Sequence, residues 1–358
     1  MKKIVIIIGT RPEAIKTAIL IKKLQNEFKS IFEYKLIVTG QHDTMLYQVL
    51  DYFGIDPDYD LKVMQENQQL SELTAKLISK IDPILKAEKP DIVLVQGDTT
   101  TAFAGALVSF YNHIKVGHIE AGLRTYDKQQ PFPEEINRQL ISNLADFHFA
   151  PTEKIKKNLL LENITNDTIY VTGNTIVDAL LDIKGKYAVE SSDNIILITA
   201  HRRENYDEGI KNICDAIAEL ASKLKGFRFI FPVHLNPNIR SIVYNRLVDF
   251  DNIQLLEPLG YFDFVKIMMQ SRLILTDSGG VQEEATTLGK STIVLRNITE
   301  RVEGVDSKIL KVVGTNKQKI VDSTLDLLNN EDNGVSSNIY GDGSASEKIL
   351  QILSDEIV

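Results

Sequence analysis

The chain has 358 residues, which at about 100–200 residues per domain predicts two domains with a large core in each and excludes a small cross-linked scaffold. Its 43% hydrophobic and 25% charged residues are those of an ordinary globular protein, and the net charge of -9 argues against a nucleic-acid binder acting through bulk charge, so an anionic ligand has to be met by locally placed cations. The single cysteine, Cys214, excludes an intramolecular disulfide and a thiolate metal cluster, no stretch approaches the roughly 18 apolar residues of a membrane span, and the apolar run after Lys3 is too short for a secretion signal, so a cytoplasmic protein is expected.

Short β-branched runs alternate with longer helical patterns along the whole chain, the signature of parallel sheets covered by helices. In the first half, residues 3–8, 35–38, 92–95, 116–119 and 147–150 read as strands, and 12–28, 45–53, 70–88, 101–111 and 134–144 as helices. A second series follows, with strands at 195–199, 229–232, 253–256, 273–276 and 292–295 and helices at 210–224, 237–247, 262–270, 281–288 and 317–328. The expected boundary lies between residues 170 and 194, where a GNT triplet and a polar stretch flank one helical pattern, and a helical tail follows the polar break at 329–343. Two doubly wound α/β halves result. Open parallel sheets bind ligands at the carboxyl ends of their strands, so the site is expected between the halves.

The first strand runs into Gly9-Thr10-Arg11-Pro12-Glu13-Ala14-Ile15-Lys16. A helix start there, with Pro12 suited to its first turn, offers free N–H groups to a phosphate, and Arg11 and Lys16 add charge. It is not a P-loop, because Ile15 occupies the place of the second glycine; at Gly289-Lys290-Ser291, Glu284 occupies the place of the first. Two further strand ends carry carboxylates, Asp98 in QGDTTT and Glu120 in HIEAGLR. Asp98 taken alone reads as a helix N-cap. Glu120, at the end of a strand buried on both faces, needs a partner such as Arg124 or a ligand. Glu134 and Glu135 open a helix after Gln130-Pro131-Phe132-Pro133, and negative charge at a helix start explains one of the two more easily than both. Three carboxylates approaching one cleft suit acid–base chemistry. A metal is disfavoured, since no HExxH or CxxC occurs and the pairs Asp56/Asp58 and Asp249/Asp251 lie in turn-like surroundings.

The second half opens in the same way, with Ala200-His201-Arg202-Arg203-Glu204-Asn205 at a strand end, where three cationic groups call for phosphate or for carboxylate partners. His234 occupies a similar strand end and taken alone reads as structural. Thr276-Asp277-Ser278-Gly279-Gly280-Val281-Gln282-Glu283-Glu284 is a strand end, a turn and a helix start, where Ser278, Gly279 and Gly280 fit a diphosphate, Glu284 the hydroxyls of a ribose, and Arg301 the same anion.

GTRPEAIK, QGDTTT, IEAGLRT, PFPEEINRQ, HRREN, PVHLNPN and TDSGGVQEE occur in an order that resembles the non-hydrolysing bacterial UDP-N-acetylglucosamine 2-epimerases over nearly the whole chain. The resemblance implies a glycosyltransferase-B-like fold, with two Rossmann-like domains (1–171 and 172–343) facing a cleft, the tail 344–358 packing back on the first, and a homodimer. It implies interconversion of UDP-GlcNAc and UDP-ManNAc without NAD, metal or other cofactor, supplying ManNAc for cell-surface polysaccharide, with neither nucleic acid nor membrane as partner. Relatives that hydrolyse the product read GSRAEYG-like at the first loop, unlike residues 9–16; a hydrolysing enzyme and one acting on a related UDP-2-acetamido sugar are the alternatives. By the same resemblance Asp98, Glu120 and Glu134 are the acid–base candidates and His201 stabilises the leaving nucleotide. Arg11 and Lys16 lie near the diphosphate and sugar, Ser278, Gly279 and Gly280 cradle phosphate, Glu284 holds the ribose, Phe264 flanks the uracil, and Arg301 completes the nucleotide site. Ala200 and Val302 depart from the family's usual glycine and proline. A second, activating UDP-GlcNAc is expected at Gln41 and His42, with His234 assigned to the same candidate allosteric site, although Asn67 stands where many such members have arginine.

Overall fold

Residues 4–8 are apolar at every position because strand β1 (Lys2–Ile8) is central to a sheet covered on both faces, and none of the five is more than 1% exposed. This is seen in a computed structural model that describes residues 1–40, 44–63, 68–187, 194–202, 208–299, 301–329 and 338–357. Gln41, His42, Asn67, Arg203, Glu204 and Asn205 lie outside the described residues, as does the side chain of Val302.

Contacts divide the chain into one unit of Met1–Leu181 with Tyr340–Val358 and a second of Asp182–Ile339. The first contains β1, α1 (Arg11–Asn26), β2 (Phe32–Val38), α2 (Thr44–Phe53), β3 (Tyr59–Asp60), α3 (Leu70–Glu88), β4 (Ile92–Gln96) and α4 (Thr100–Tyr111). It continues with β5 (Lys115–Ile119), α5 (Glu134–Leu144), β6 (Phe147–Ala150), α6 (Glu153–Leu161), β7 (Ile169–Val171) and α7 (Thr175–Lys186). The second contains β8 (Ile195–Thr199), α8 (Glu208–Lys223), β9 (Arg228–Pro232), α9 (Pro237–Leu247), β10 (Ile253–Leu256), α10 (Tyr261–Gln270) and β11 (Leu273–Thr276). After these come α11 (Gly279–Thr287), β12 (Thr292–Val294), α12 (Val302–Asp306), β13 (Leu310–Val312) and α13 (Lys317–Asn329); α14 (Ala345–Ile357) returns to the first unit. The expected boundary at 171/172 lies just ahead of α7, whereas the contacts divide the chain within that helix.

The strand orders are β3-β2-β1-β4-β5-β6-β7 and β10-β9-β8-β11-β12-β13, and every pairing is parallel. Both sheets reverse direction beside their first strand, so each has a crevice at the carboxyl ends of β1/β4 or β8/β11. The unexpected strands β3, β7 and β13 have two or three residues each, too few to show an alternating pattern. Among the described residues no helix is long and apolar enough to cross a membrane.

At the first crevice the turn from β1 into α1 admits only glycine. The hydroxyls of Thr39 and Thr101 lie 2.8 Å apart beneath it, and a Cβ on Gly9 would come within 2.6 Å of both. Thr10 makes no side-chain cap; instead buried Glu13 accepts the N–H of Gly9 at 3.0 Å and the hydroxyl of Thr99 at 2.8 Å, joining the loops that follow β1 and β4. Burial pushes the Glu13 carboxyl up to about 6. Buried Asp178 on α7 plays a similar part for α14, accepting the N–H groups of Ala345 at 3.2 Å and Ser346 at 2.7 Å, while α14 lies along α1 with Glu347 3.1 Å from Lys23.

Two outcomes are expected. Asp178→Ala strands two N–H groups at the start of α14 and should destabilise the protein by about 2–3 kcal/mol, read as a lower urea midpoint and faster proteolysis of the C-terminal helix. Because its folded pKa is raised, Glu13 contributes proton-linked stability that is full below about 4.5 and lost as pH rises through about 6. The stability difference between wild type and Glu13→Gln should therefore shift toward wild type by about 2 kcal/mol between pH 7.5 and pH 4; a pH-independent difference would contradict this burial.

Candidate active site

Glu120 follows β5 with φ of 67°, a left-handed conformation that costs a non-glycine residue about 1–3 kcal/mol and turns its side chain back over the sheet end. The conformation is held from several sides. Lys16 Nζ lies 2.6 Å from Oε1, Asn174 Nδ2 donates to the same oxygen at 3.2 Å, and Gln96 Nε2 donates to Oε2. These donors match an ionised carboxylate, which only accepts. The expected partner, Arg124, is engaged elsewhere: it forms two 2.7 Å bonds to Glu162 and one to Ser142 at 2.9 Å, bracing α5 and α6. Lys16 can reach Glu120 because one turn and a half of α1 carries it back over β4 and β5. His118, in the same strand, is held neutral by burial, its pKa pushed down to about 3, and its Nε2 donates to the carbonyl of Gly97 at 2.7 Å.

Asp98 lies in the loop after β4 but is not the cap of α4. Thr99 caps that helix by accepting the N–H of Ala102 at 3.1 Å, which leaves the Asp98 carboxylate for Arg138 Nη2 at 2.5 Å. Asn137 fixes the same loop by donating to the Asp98 carbonyl at 2.9 Å. The pair at the start of α5 divides: buried Glu135 accepts the N–H groups of Thr125 and Tyr126, both at 3.0 Å, whereas Glu134 is half-buried at the first residue of the helix. Glu135 therefore has a structural task, closing the 125–126 turn, and the charge at the first position of the helix is that of Glu134. Arg11, the first residue of α1, directs Nη1 to Met45 Sδ at 3.3 Å.

In the second unit, fully buried Asp277 follows β11 directly and accepts the backbone N–H groups of His201 and Arg202, both at 2.9 Å. His201 Nδ1 lies 3.3 Å from the same carboxylate, so the cationic strand end has a carboxylate built beneath it. The ring of exposed His234 stacks on that of His201, with centroids 5.8 Å apart and planes within 14°. Ser278 and Gly279 open α11, and a Cβ on Gly280 would meet nothing within 4 Å, so the backbone there is approachable. Glu284, inside that helix, accepts from the Tyr261 hydroxyl at 2.8 Å, and Phe264 packs beside Ile230, Met268 and Val281. Arg301 forms bonds of 3.0 and 2.9 Å to buried Glu283, and the Thr299 hydroxyl donates to Gln282 at 2.6 Å. Gln282 and Glu283 thus bind the 299–301 segment and Glu284 the start of α10. Each unit's strand ends are more nearly neutral than a count of Arg and Lys implies, because Lys16 in the first and Arg301 in the second carry carboxylate partners.

The positioning groups Gln96, Arg138, Asn174 and Glu283 were not anticipated. Their signal is weak: Gln96 and Asn174 stand beside a glycine and Glu283 beside a second glutamate, while Arg138 has no such neighbour.

A family model described as UDP-N-acetylglucosamine 2-epimerase matches residues 22–354. The UDP-N-acetylglucosamine 2-epimerase of Bacillus subtilis is 47% identical over 361 residues, covering 98% of this chain and 94% of that protein. The crystal structure of UDP-GlcNAc 2-epimerase from Neisseria meningitidis bound to UDP-GlcNAc superposes with a TM-score of 0.93 at 46% identity, covering 99% of this chain and 100% of the other. That from Methanocaldococcus jannaschii, in complex with UDP-GlcNAc and UDP, gives 0.84 at 36% identity over 99% of both chains. With two parallel-sheet units and matches along its whole length, the chain has a glycosyltransferase-B-like fold and belongs to the UDP-N-acetylglucosamine 2-epimerase family.

Proposed function

We propose that this enzyme interconverts UDP-N-acetylglucosamine and UDP-N-acetylmannosamine by eliminating UDP to 2-acetamidoglucal and adding it back, without releasing free sugar. The observation that carries the reading is the set of strand-end carboxylates in the first unit. Glu120 and Asp98 each face a cation, Lys16 at 2.6 Å and Arg138 at 2.5 Å, an arrangement that suits carboxylates working as proton acceptors. Glu134 opens the helix that supplies Arg138.

The C2 proton is not acidic, so C1–O cleavage runs ahead and C1 gains oxocarbenium character. A carboxylate takes the C2 proton, the C2–H electron pair becomes the C1–C2 double bond, and UDP leaves with the C1–O pair. On return the UDP oxygen attacks C1 while a carboxylic acid on the opposite face delivers a proton to C2. Two faces require two proton carriers, which is why Asp98, Glu120 and Glu134 are informative together. In the second unit, the start of α11 at Ser278–Gly280, with Arg301, receives the diphosphate; Glu284 takes the ribose and Phe264 the uracil. His201, backed by Asp277, and Arg11 stabilise the departing UDP.

The same reading makes the enzyme a cytoplasmic homodimer that uses neither metal nor nicotinamide and feeds ManNAc to cell-surface polysaccharide. The order of its seven motifs supports this. A second UDP-GlcNAc acts as activator at Gln41 and His42 with His234; the stack of His234 on His201 supports a link from that site to the nucleotide.

Turnover of UDP-GlcNAc in heavy water should place deuterium at C2 of both UDP-sugars. Free ManNAc and UDP without UDP-ManNAc would show hydrolysis instead, and a panel of UDP-2-acetamido sugars distinguishes related substrates. Asp98→Asn, Glu120→Gln and Glu134→Gln should each lower kcat by about 100-fold or more with UDP still bound in calorimetry; intact turnover in all three would remove the acid–base assignment.

A further inference from the structure

We propose that Asn174 is a positioning residue for this reaction, its side-chain amide orienting Glu120 from the segment that leads the chain out of the first unit. The inference rests on the epimerase reading above and adds a residue to it.

Asn174 is 2% exposed and stands immediately before α7. Its Oδ1 accepts the N–H of Ile176 at 3.1 Å, the geometry of a helix N-cap, while its Nδ2 donates to Glu120 Oε1 at 3.2 Å. The backbone is fixed as well: its N–H donates to the carbonyl of Tyr340 at 2.6 Å. Gly173 and Gly341 both have positive φ, 94° and 120°, and a Cβ on either would come 3.2 Å from the Cα of the other. The outgoing segment at 172–174 and the returning segment at 340–341 therefore meet backbone to backbone beside Asn174.

Residue type makes the argument sharper. A cap alone is served as well by aspartate or serine. An amide accepts from Ile176 through one atom and donates to Glu120 through another without carrying charge, whereas an ionised aspartate here would set a second negative charge against Glu120. Because Lys16 and Asn174 hold Oε1 while Gln96 holds Oε2, rotation of the Glu120 carboxylate is blocked at both oxygens. Displacement of either connecting segment is transmitted to the carboxylate through one side chain. The other titratable groups nearby are Lys16 on α1 and the neutral His118 on β5; Asp178, one turn along α7, faces the start of α14.

The test compares Asn174→Ser and Asn174→Asp with wild type by kcat, KM, UDP affinity and melting temperature. Serine keeps the cap oxygen and loses the amide, so kcat should fall about 10- to 100-fold with KM and UDP affinity within about twofold of wild type. Aspartate should be as impaired at pH 8 and recover relative to wild type below pH of about 6, because a protonated carboxyl donates where the amide did. Wild-type kcat in either folded variant, or a loss that is independent of pH and accompanied by an equal loss of UDP affinity, would reduce Asn174 to a helix cap. Should Asn174→Asp not fold, the serine variant alone decides. A wild-type enzyme that does not epimerise UDP-GlcNAc overturns the functional reading itself, an outcome separate from a failure of the variants.

Discussion

A carboxylate removed from water must be met by donors, and the first unit is organised around doing this for Glu120. Removing one partner of such a buried pair costs about 3–5 kcal/mol, so the elements that deliver the partners are tied to one another. Lys16 requires α1 to start where it does, which requires Gly9 above the Thr39–Thr101 hydroxyl pair. Gln96 requires β4 to run to its last residue beside β5. Asn174 requires the connecting segments to pass behind the site. The left-handed backbone at Glu120 persists because these contacts over-determine it.

The same device recurs with a different purpose. Glu13, Glu135, Asp178 and Asp277 are all buried, and each accepts backbone N–H groups of a turn or helix start. They are fasteners within each unit: part of the chain's negative charge is spent inside the fold on peptide groups, and part, at Glu120 and Glu283, on the cations Lys16 and Arg301.

The architecture was readable because fully buried parallel strands such as β1, β4 and β8 are continuous apolar runs and the helices between them are long enough to show their period. Strands β3, β7 and β13 were not, being too short to carry a pattern. Among the site candidates, strand ends drew attention to Asp98, Glu120, His201 and Ser278, each of which the structure places just after a strand, since polar groups there have few other reasons to exist. Pairing was harder. Arg124 looked like the natural partner of Glu120 by nearness in sequence, yet the chain turns away after β5 and hands Arg124 to Glu162 and Ser142, while Lys16 reaches Glu120 from a hundred residues away. Likewise Glu134 and Glu135 are indistinguishable as letters and differ only once Thr125 and Tyr126 are seen turning onto one of them.

The fastening of α14 by Asp178 bears on the order in which the protein can be made. The sheet of the first unit is translated early, but the helix that covers α1 and starts on that carboxylate follows the entire second unit. On the ribosome the first unit thus waits with one flank open while more than a hundred and fifty residues are added, and α14 closes it only after them. A change in α14, far from Glu120 in sequence, therefore strips a wall from the unit that holds that carboxylate.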